Sequence, residues 1–357
     1  MTYLDANATE PLRPAARAAV LAALDLTGNP SSVHQAGRAA RRLLEDARAA
    51  IARRFGGGTV VLVSGGTEAD ALAVHALGAG RRLLIGATEH DAIRAAAPDA
   101  ATIPVDGDGV ADLEALRRML AGSPALVCLM LANNETGTIQ PVAAAAALCH
   151  ASGALLHVDA VQAAGRIPVD LSAIGADSLA VSGHKLGGPP GAGALLLASS
   201  AVAFRPLIAG GGQELGRRGG TPPLPAIAGF AAACGEPPTN GLDALRDLIE
   251  RAAAAAGAVA LATGAPRLAN TACLALPGVA AQTQVIALDL AGIQVSAGAA
   301  CSSGKIARSH VLGAMGLGAL AGEAIRVSLP WNATAADAQA FIAAYQAMAD
   351  RLARRAA

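Results

Sequence analysis

Aromatic side chains are nearly missing from this sequence: one Trp, two Tyr and four Phe in 357 residues, 2% of the chain. Hydrophobic residues still make up 53%, so a sizeable core is available, built from Ala, Val, Leu and Ile. An excess of charge is missing too, with 27 Lys plus Arg against 27 Asp plus Glu. That balance offers no basic face to nucleic acid and no like-charge tail to a partner. Arg351-Leu-Ala-Arg354-Arg355 reads as the cationic last turn of a helix. The apolar windows stop short of the ~20 residues needed to span a bilayer. Met1 leads into Thr-Tyr-Leu-Asp5 without the basic and then apolar stretch of a signal peptide. The five cysteines are odd in number and scattered, without a CxxC pair, which argues against a disulfide framework or a zinc site. The expectation is a soluble, cytoplasmic protein with no resident metal, no membrane contact and no direct nucleic-acid contact.

What is present is a rhythm. Apolar runs at Val60–Val63, Arg82–Ile85, Ala125–Leu131, Ala154–Val158, Ser178–Val181 and Ala194–Leu197 read as strands. Helical patterns lie between them at Ala36–Arg54, Thr67–Leu77, Leu113–Leu120 and Val142–Ala151. Alternation of this kind predicts an α/β fold with a mainly parallel sheet covered by helices on both faces. Pro222–Pro225 and Gly235-Glu-Pro-Pro-Thr-Asn-Gly241 interrupt the rhythm and place a boundary near residue 235. Residues 15–235 are expected to form a large domain, with 1–14 and 236–357 forming a smaller α+β domain.

Polar residues collect where the strands end. Val63 is followed by Ser64-Gly-Gly-Thr67-Glu68, and Ile85 by Thr88-Glu89-His90. Leu131 is followed by Asn133-Asn-Glu-Thr-Gly137, Val158 by Asp159-Ala-Val-Gln162, and Val181 by Ser182-Gly-His184-Lys185. In open parallel sheets, ligands bind beyond the carboxyl ends of the strands. One such cluster is explained by a turn or a cap, but five together mark a site.

Ser64-Gly-Gly-Thr67 opens a helix, whose free N–H groups suit a phosphate, although Thr67 also serves as a plain cap. The stretch lacks GxxxxGK[ST] and is no Walker loop. Lys185 stands among Ser, His and glycines beside that anion site, as a lysine would that forms an imine with a carbonyl cofactor. Asp159 ends an apolar strand, where an unpaired carboxylate is costly. A protonated pyridine nitrogen, as in pyridoxal-5′-phosphate (PLP) sites, would satisfy it, and so would backbone N–H groups. Cys128, Cys149, Cys234 and Cys273 lie in apolar stretches and read as inert core residues. Cys301 lies in Ser-Ala-Gly-Ala-Ala-Cys-Ser-Ser-Gly-Lys305, a small-residue loop, and is the one reactive candidate.

These blocks, in this order, resemble the signature segments of the cysteine desulfurase family of fold-type I PLP enzymes. Joining them are Asn29-Pro-Ser-Ser-Val-His34, Gly210-Gly-Gly-Gln-Glu214, Gly220-Thr221, Cys301-Ser-Ser-Gly304 and Ser309-His-Val-Leu312. The resemblance covers nearly the whole chain and implies roles. Lys185 would carry the Schiff base, Asp159 would pair with the ring nitrogen, and Gln162 would bond the phenolic oxygen. His90 would stack on the ring and move protons. Gly66, Thr67, Ser182 and His184 would hold the phosphate, with Thr221 reaching over from the second subunit of a homodimer. Asn133 and Arg326 would hold the carboxylate of L-cysteine, and Cys301 would take its sulfur as a persulfide. The Cys301-to-Ser309 spacing resembles the long-loop subgroup, which passes sulfur to protein acceptors for iron–sulfur assembly or tRNA thiolation. Gly66, Pro190, Pro222-Pro223, Ala297, Ala299 and Pro330-Trp331 depart from the usual pattern. The rival readings are another class V enzyme (an aminotransferase or selenocysteine lyase) and a degenerate, non-catalytic sulfur-transfer scaffold.

Overall fold

The computed structural model describes residues 1–122, 124–200, 204–298 and 308–356. Strand β1 (Thr2–Tyr3) opens the chain, followed by helices α1 (Pro14–Leu24) and α2 (Gln35–Arg54). A seven-stranded sheet follows from β2 (Thr59–Val63), β3 (Arg82–Gly86), β4 (Ala101–Ile103), β5 (Ala125–Met130), β6 (Leu155–Asp159), β7 (Ser178–Ser182) and β8 (Gly193–Leu197). Helices α3 (Gly66–Leu77), α4 (Asp91–Ala96), α5 (Leu113–Met119), α6 (Val142–Ala151) and α7 (Leu171–Ile174) connect these strands, and α8 (Leu224–Cys234) packs on α1 and α2. The sheet order is β2-β8-β7-β6-β5-β3-β4. Strands β5, β7 and β8 are buried at every position, as expected of strands covered on both faces.

Six of the seven strands point the same way, and β8 alone runs antiparallel to both of its neighbours, β7 and β2. The reason is chain length. Between Ser182 and Gly193 there is room for a tight return but not for the crossover of a dozen or more residues that a parallel strand needs. That return is the segment that carries Lys185. The carboxyl ends of β2, β3, β5, β6 and β7 therefore share one edge, and each polar cluster lies just past it.

The second sheet is antiparallel, in the order β12-β13-β10-β9, from β9 (Val259–Ala260), β10 (Thr271–Ala275), β12 (Ser296–Ala297) and β13 (Ala324–Ser328). Strand β11 (Ile293–Gln294) pairs with β1. Helices α9 (Leu242–Ala255), α10 (Ala281–Leu290), α11 (His310–Ala314) and α12 (Ala335–Ala356) accompany it. A core of its own joins Leu4 to Ile249, Leu274, Ile325, Phe341 and Tyr345. The N-terminal residues thus cross from one core to the other, and residues 5–13 lie along the seam. Among the described residues, no helix is long and apolar enough to cross a membrane.

Candidate active site

A cradle built from glycine and one serine lies at the end of β2. Helix α3 starts at Gly66, behind the non-helical Gly65, so its first N–H groups face the sheet edge. A Cβ on Gly65 would stand 3.7 Å from Ser182 Oγ. Gly193 of β8 passes under Gly65 so closely that a Cβ there would meet its backbone at 2.7 Å. Ser182 is buried, and its hydroxyl has no protein partner. A buried polar atom of that kind is rare unless a ligand uses it. Gly66 has a local reason as well: a Cβ there would lie 2.6 Å from Val161 Cγ2.

Asp159 ends β6 buried, with Oδ1 accepting from Val161 N–H at 2.8 Å. Burial, with Asp70 behind it, pushes its carboxyl up to about 7, against the pull of the Val161 N–H, His90 and His157. A cation set against Asp159 would reverse that shift. Asp70 and His157 are fully buried together: His157 Nε2 lies 3.1 Å from Asp70 Oδ1, and its Nδ1 lies 2.8 Å from Ser178 Oγ. His157 and Asp159 share a face of β6, because they are two residues apart.

Lys185 Nζ donates to the backbone carbonyls of Asn7, at 2.5 Å, and Ala8, at 2.9 Å. Burial first, then the positive charges of Arg326 and Arg166, bring its ammonium down to about 7, against Asp5 and Asp159. A lysine so placed carries a large neutral fraction near neutrality and can act as a nucleophile. His184 Nδ1 lies 2.9 Å from Thr9 Oγ1, and burial beside Lys185 and Arg166 lowers its ring to about 4. His90 caps α4, with Ala92 N–H donating to its Nδ1, so the neutral ring carries its proton on Nε2. Beside it Glu89 is wholly buried, takes Met130 N–H at 2.7 Å, and is held well above the usual carboxylate range by burial.

Arg326 enters from β13 of the second sheet. Its Nη2 donates to Asp5 Oδ1 at 2.6 Å and its Nη1 to the Asn134 carbonyl at 3.1 Å, while its buried Nε has no protein partner. Asn133 is differently engaged. Its Oδ1 accepts from Glu135 N–H and Thr136 N–H, and its Nδ2 donates to the Thr88 carbonyl. Those bonds shape the turn and leave the side chain buried. Thr67 and Thr221 are exposed, Thr221 in the segment following Gly220. Cys301 lies outside the described residues. Burial raises the other four thiols, Cys149 and Cys234 to about 12, so none is a ready nucleophile. Sequence reasoning passed over Asn7, Glu10, Asp70 and Arg166, which back the site. For Asn7 and Glu10 the signal was the polar run Asp5-Ala-Asn-Ala-Thr-Glu10, directly after an apolar start; Asp70 and Arg166 carried none.

The Aminotransferase class-V family model matches residues 2–341. A protein of Cereibacter sphaeroides named cysteine desulfurase is 42% identical, over 98% of this chain and 96% of its own. An IscS-like cysteine desulfurase of Mycobacterium tuberculosis is 38% identical, over 100% and 98%. The solved structure of a NifS-like protein from Rickettsia africae superposes with a TM-score of 0.89 at 35% identity, covering 98% of this chain and 99% of that one. The chain belongs to the cysteine desulfurases of the class-V aminotransferase family.

Cysteine desulfurases are PLP enzymes, and the residues here fit that cofactor. A phosphate suits the α3 N-terminus and the unpartnered Ser182 hydroxyl. A pyridinium suits the buried Asp159 carboxylate, and an aldehyde suits the amine of Lys185.

Proposed function

We propose that this cysteine desulfurase attaches its cofactor to Lys185 and passes the sulfur of L-cysteine to Cys301. The carrying observation is the convergence of Lys185, Asp159 and the Ser182 cradle at one sheet edge, with Arg326 facing them from the other sheet. In this reading Gly66, Thr67, Ser182 and His184 hold the phosphate, Gln162 and Asp159 hold the ring, and His90 covers it. Bound PLP draws electron density from the substrate's α-carbon. Arg326 orients the substrate by its carboxylate, which suits a guanidinium whose Nε is buried and unpartnered. His90 holds a transferable proton at Nε2. The Cys301 thiolate attacks the substrate sulfur. An S–S bond forms and the C–S bond breaks, its electron pair remaining on carbon. Protonation there yields alanine, with a persulfide left on Cys301.

Asn133 keeps its place in this reading. Its amide bonds fix the turn beside the Asn134 carbonyl that holds Arg326, and with Arg326 it stands at the substrate carboxylate.

Thr221, exposed and distant along the chain, completes the cradle of a second copy, which makes the active unit a homodimer. The reading further includes cytoplasmic location, the long-loop subgroup, a division into domains 15–235 and 1–14 with 236–357, and a protein acceptor serving iron–sulfur assembly or tRNA thiolation.

The test is incubation with L-cysteine, followed by an alanine assay and by mass spectrometry of the intact and digested protein. Alanine and a sulfur adduct on Cys301 are expected, both lost in Cys301→Ser. A keto acid product, or an adduct mapping elsewhere, sinks the assignment.

A further inference from the structure

Arg166 has no part in the roles above, yet it is buried, with its side chain 9% exposed. It follows β6 in the turn that carries Gln162. Its Nη1 donates to Gln162 Oε1 and to the Gln162 carbonyl, each at 2.7 Å, and its Nη2 donates to the Ala6 carbonyl at 3.3 Å. Glu10 lies beside it, with Oε2 at 3.3 Å from Nη2, and the other oxygen of Glu10 accepts from Trp331 N–H at 2.5 Å. Trp331 is anchored in turn through Nε1 to the Pro11 carbonyl at 2.8 Å, with Arg13 over its ring.

The consequence for Gln162 is a fixed orientation. A guanidinium has donors only, so it donates to the Oε1 end of the amide and repels the NH2 end. Gln162 Nε2 is left facing the Asn7 carbonyl at 2.9 Å, the same oxygen that Lys185 Nζ approaches. The donor of Gln162 and the amine of Lys185 are thus brought to one point.

We propose that Arg166, braced by Glu10, is a positioning residue that presents the Gln162 Nε2 donor beside Lys185 and sets the electrostatic field at the Lys185 nitrogen. This rests on the reading of Lys185 as the cofactor lysine. Condensation of its amine with the aldehyde needs the neutral amine, forms a C=N bond and releases water. A neighbouring buried cation disfavours protonation of that nitrogen before and after condensation. The charged groups bearing on Lys185 are Arg326 of β13, Arg166 of the turn after β6, Asp5 of the N-terminal segment and Asp159 of β6, with burial acting in the same sense as the two arginines. Glu10 partly offsets the Arg166 charge.

The test is a pH titration of the cofactor's visible absorbance band in the holoenzyme. Arg166→Met removes both the cation and the Gln162 anchor, and the midpoint should rise by about one pH unit or more. Arg166→Lys keeps the charge but loses the fork, and should recover most of that shift. Glu10→Gln keeps the shape but removes the opposing charge, and should move the midpoint the other way. A purely structural role would shift the two charge variants alike or not at all. Unchanged midpoints in the folded Arg166→Met and Glu10→Gln proteins, or shifts of the same sign in the two, overturn the proposal. Lys185→Ala separates the underlying reading: if the borohydride-reducible adduct persists there, the lysine assignment fails. If the adduct is lost while the Arg166 and Glu10 variants titrate like the wild type, the Arg166 proposal alone fails.

Discussion

The buried pair behind Asp159 supports a prediction that does not depend on the cofactor. Asp70 is fully enclosed, and its carboxyl oxygen pairs with Nε2 of a histidine that is equally enclosed. Asp70→Ala removes that oxygen and leaves His157 Nε2 without a partner in the interior. Leaving a buried neutral ring nitrogen without its partner costs about 1–3 kcal/mol. Asp70→Asn keeps the volume and still offers a carbonyl oxygen to Nε2–H, so its cost should stay near the ~1 kcal/mol of an ordinary buried hydrogen bond. The two variants should therefore differ by up to about 2 kcal/mol, as much as a thirtyfold change in the unfolding equilibrium. Urea unfolding followed by circular dichroism and by the single tryptophan, Trp331, measures the difference.

Asp70→Asn also isolates the titration of His157, whose ring burial lowers to about 4 from 6.5. Between those values the unfolded chain takes up a proton that the folded chain refuses. Stability of Asp70→Asn must therefore fall as pH drops from 6.5 toward 4, by up to about 3 kcal/mol. In the wild type, burial holds the Asp70 carboxyl well above its ordinary range, so the folded state keeps a proton there that the unfolded state sheds. That opposes the His157 effect, and the wild-type decline should be shallower. Equal costs for the Ala and Asn variants, or a flat Asp70→Asn profile from pH 6.5 to 4, would refute the reasoning.

Gly193→Ala places a Cβ 2.7 Å from the Gly65 backbone, so PLP affinity should drop at least tenfold while the fold survives; cofactor titration by absorbance measures it. Gly66→Ala should destabilise through Val161, and Gly66→Ala with Val161→Ala should recover about 1 kcal/mol or more of coupling in a double-mutant cycle. Cys301 should react with iodoacetamide in the native protein, whereas Cys128, Cys149, Cys234 and Cys273 should react only after unfolding; peptide mapping of the alkylated residues decides. Arg326→Gln should raise the KM for L-cysteine far more than it weakens PLP binding, since its bonds go to Asp5 and Asn134 and not to the cradle.

The parts of this fold that were legible are those set by local pattern. Val60–Val63, Ser178–Val181 and Ala194–Leu197 are apolar runs too short for helices, and they became the β2–β8–β7 corner. The antiparallel sense of β8 was not stated in advance, although the short link that dictates it was in view. Lys185 stood out because Ser, Gly and His precede it on a strand end. Asn133 was legible only in part. A polar residue past a strand end either meets a ligand or closes the turn, and only coordinates reveal which hydrogen bonds its amide has already made.

Arg166 and Glu10 were illegible because their meaning is a pairing across more than 150 positions. No periodicity reports such a contact. The N-terminal segment has the same character. Asn7 gives its carbonyl to Lys185 and Gln162, while its side chain bonds Thr271, Asn270 and the Asn134 carbonyl, and its N–H donates to Ser328 Oγ. Two residues earlier, Asp5 holds Arg326. Lys185 and the arginine that faces it from the other sheet are therefore referenced to one turn of four residues, Asp5 to Ala8. A shift of that stretch would displace both groups together, along with the second-sheet strands bonded to it. This gives a physical reason for residues 5–13 to lie along the seam between the two cores: Lys185 and Arg326 are kept in register by a shared backbone.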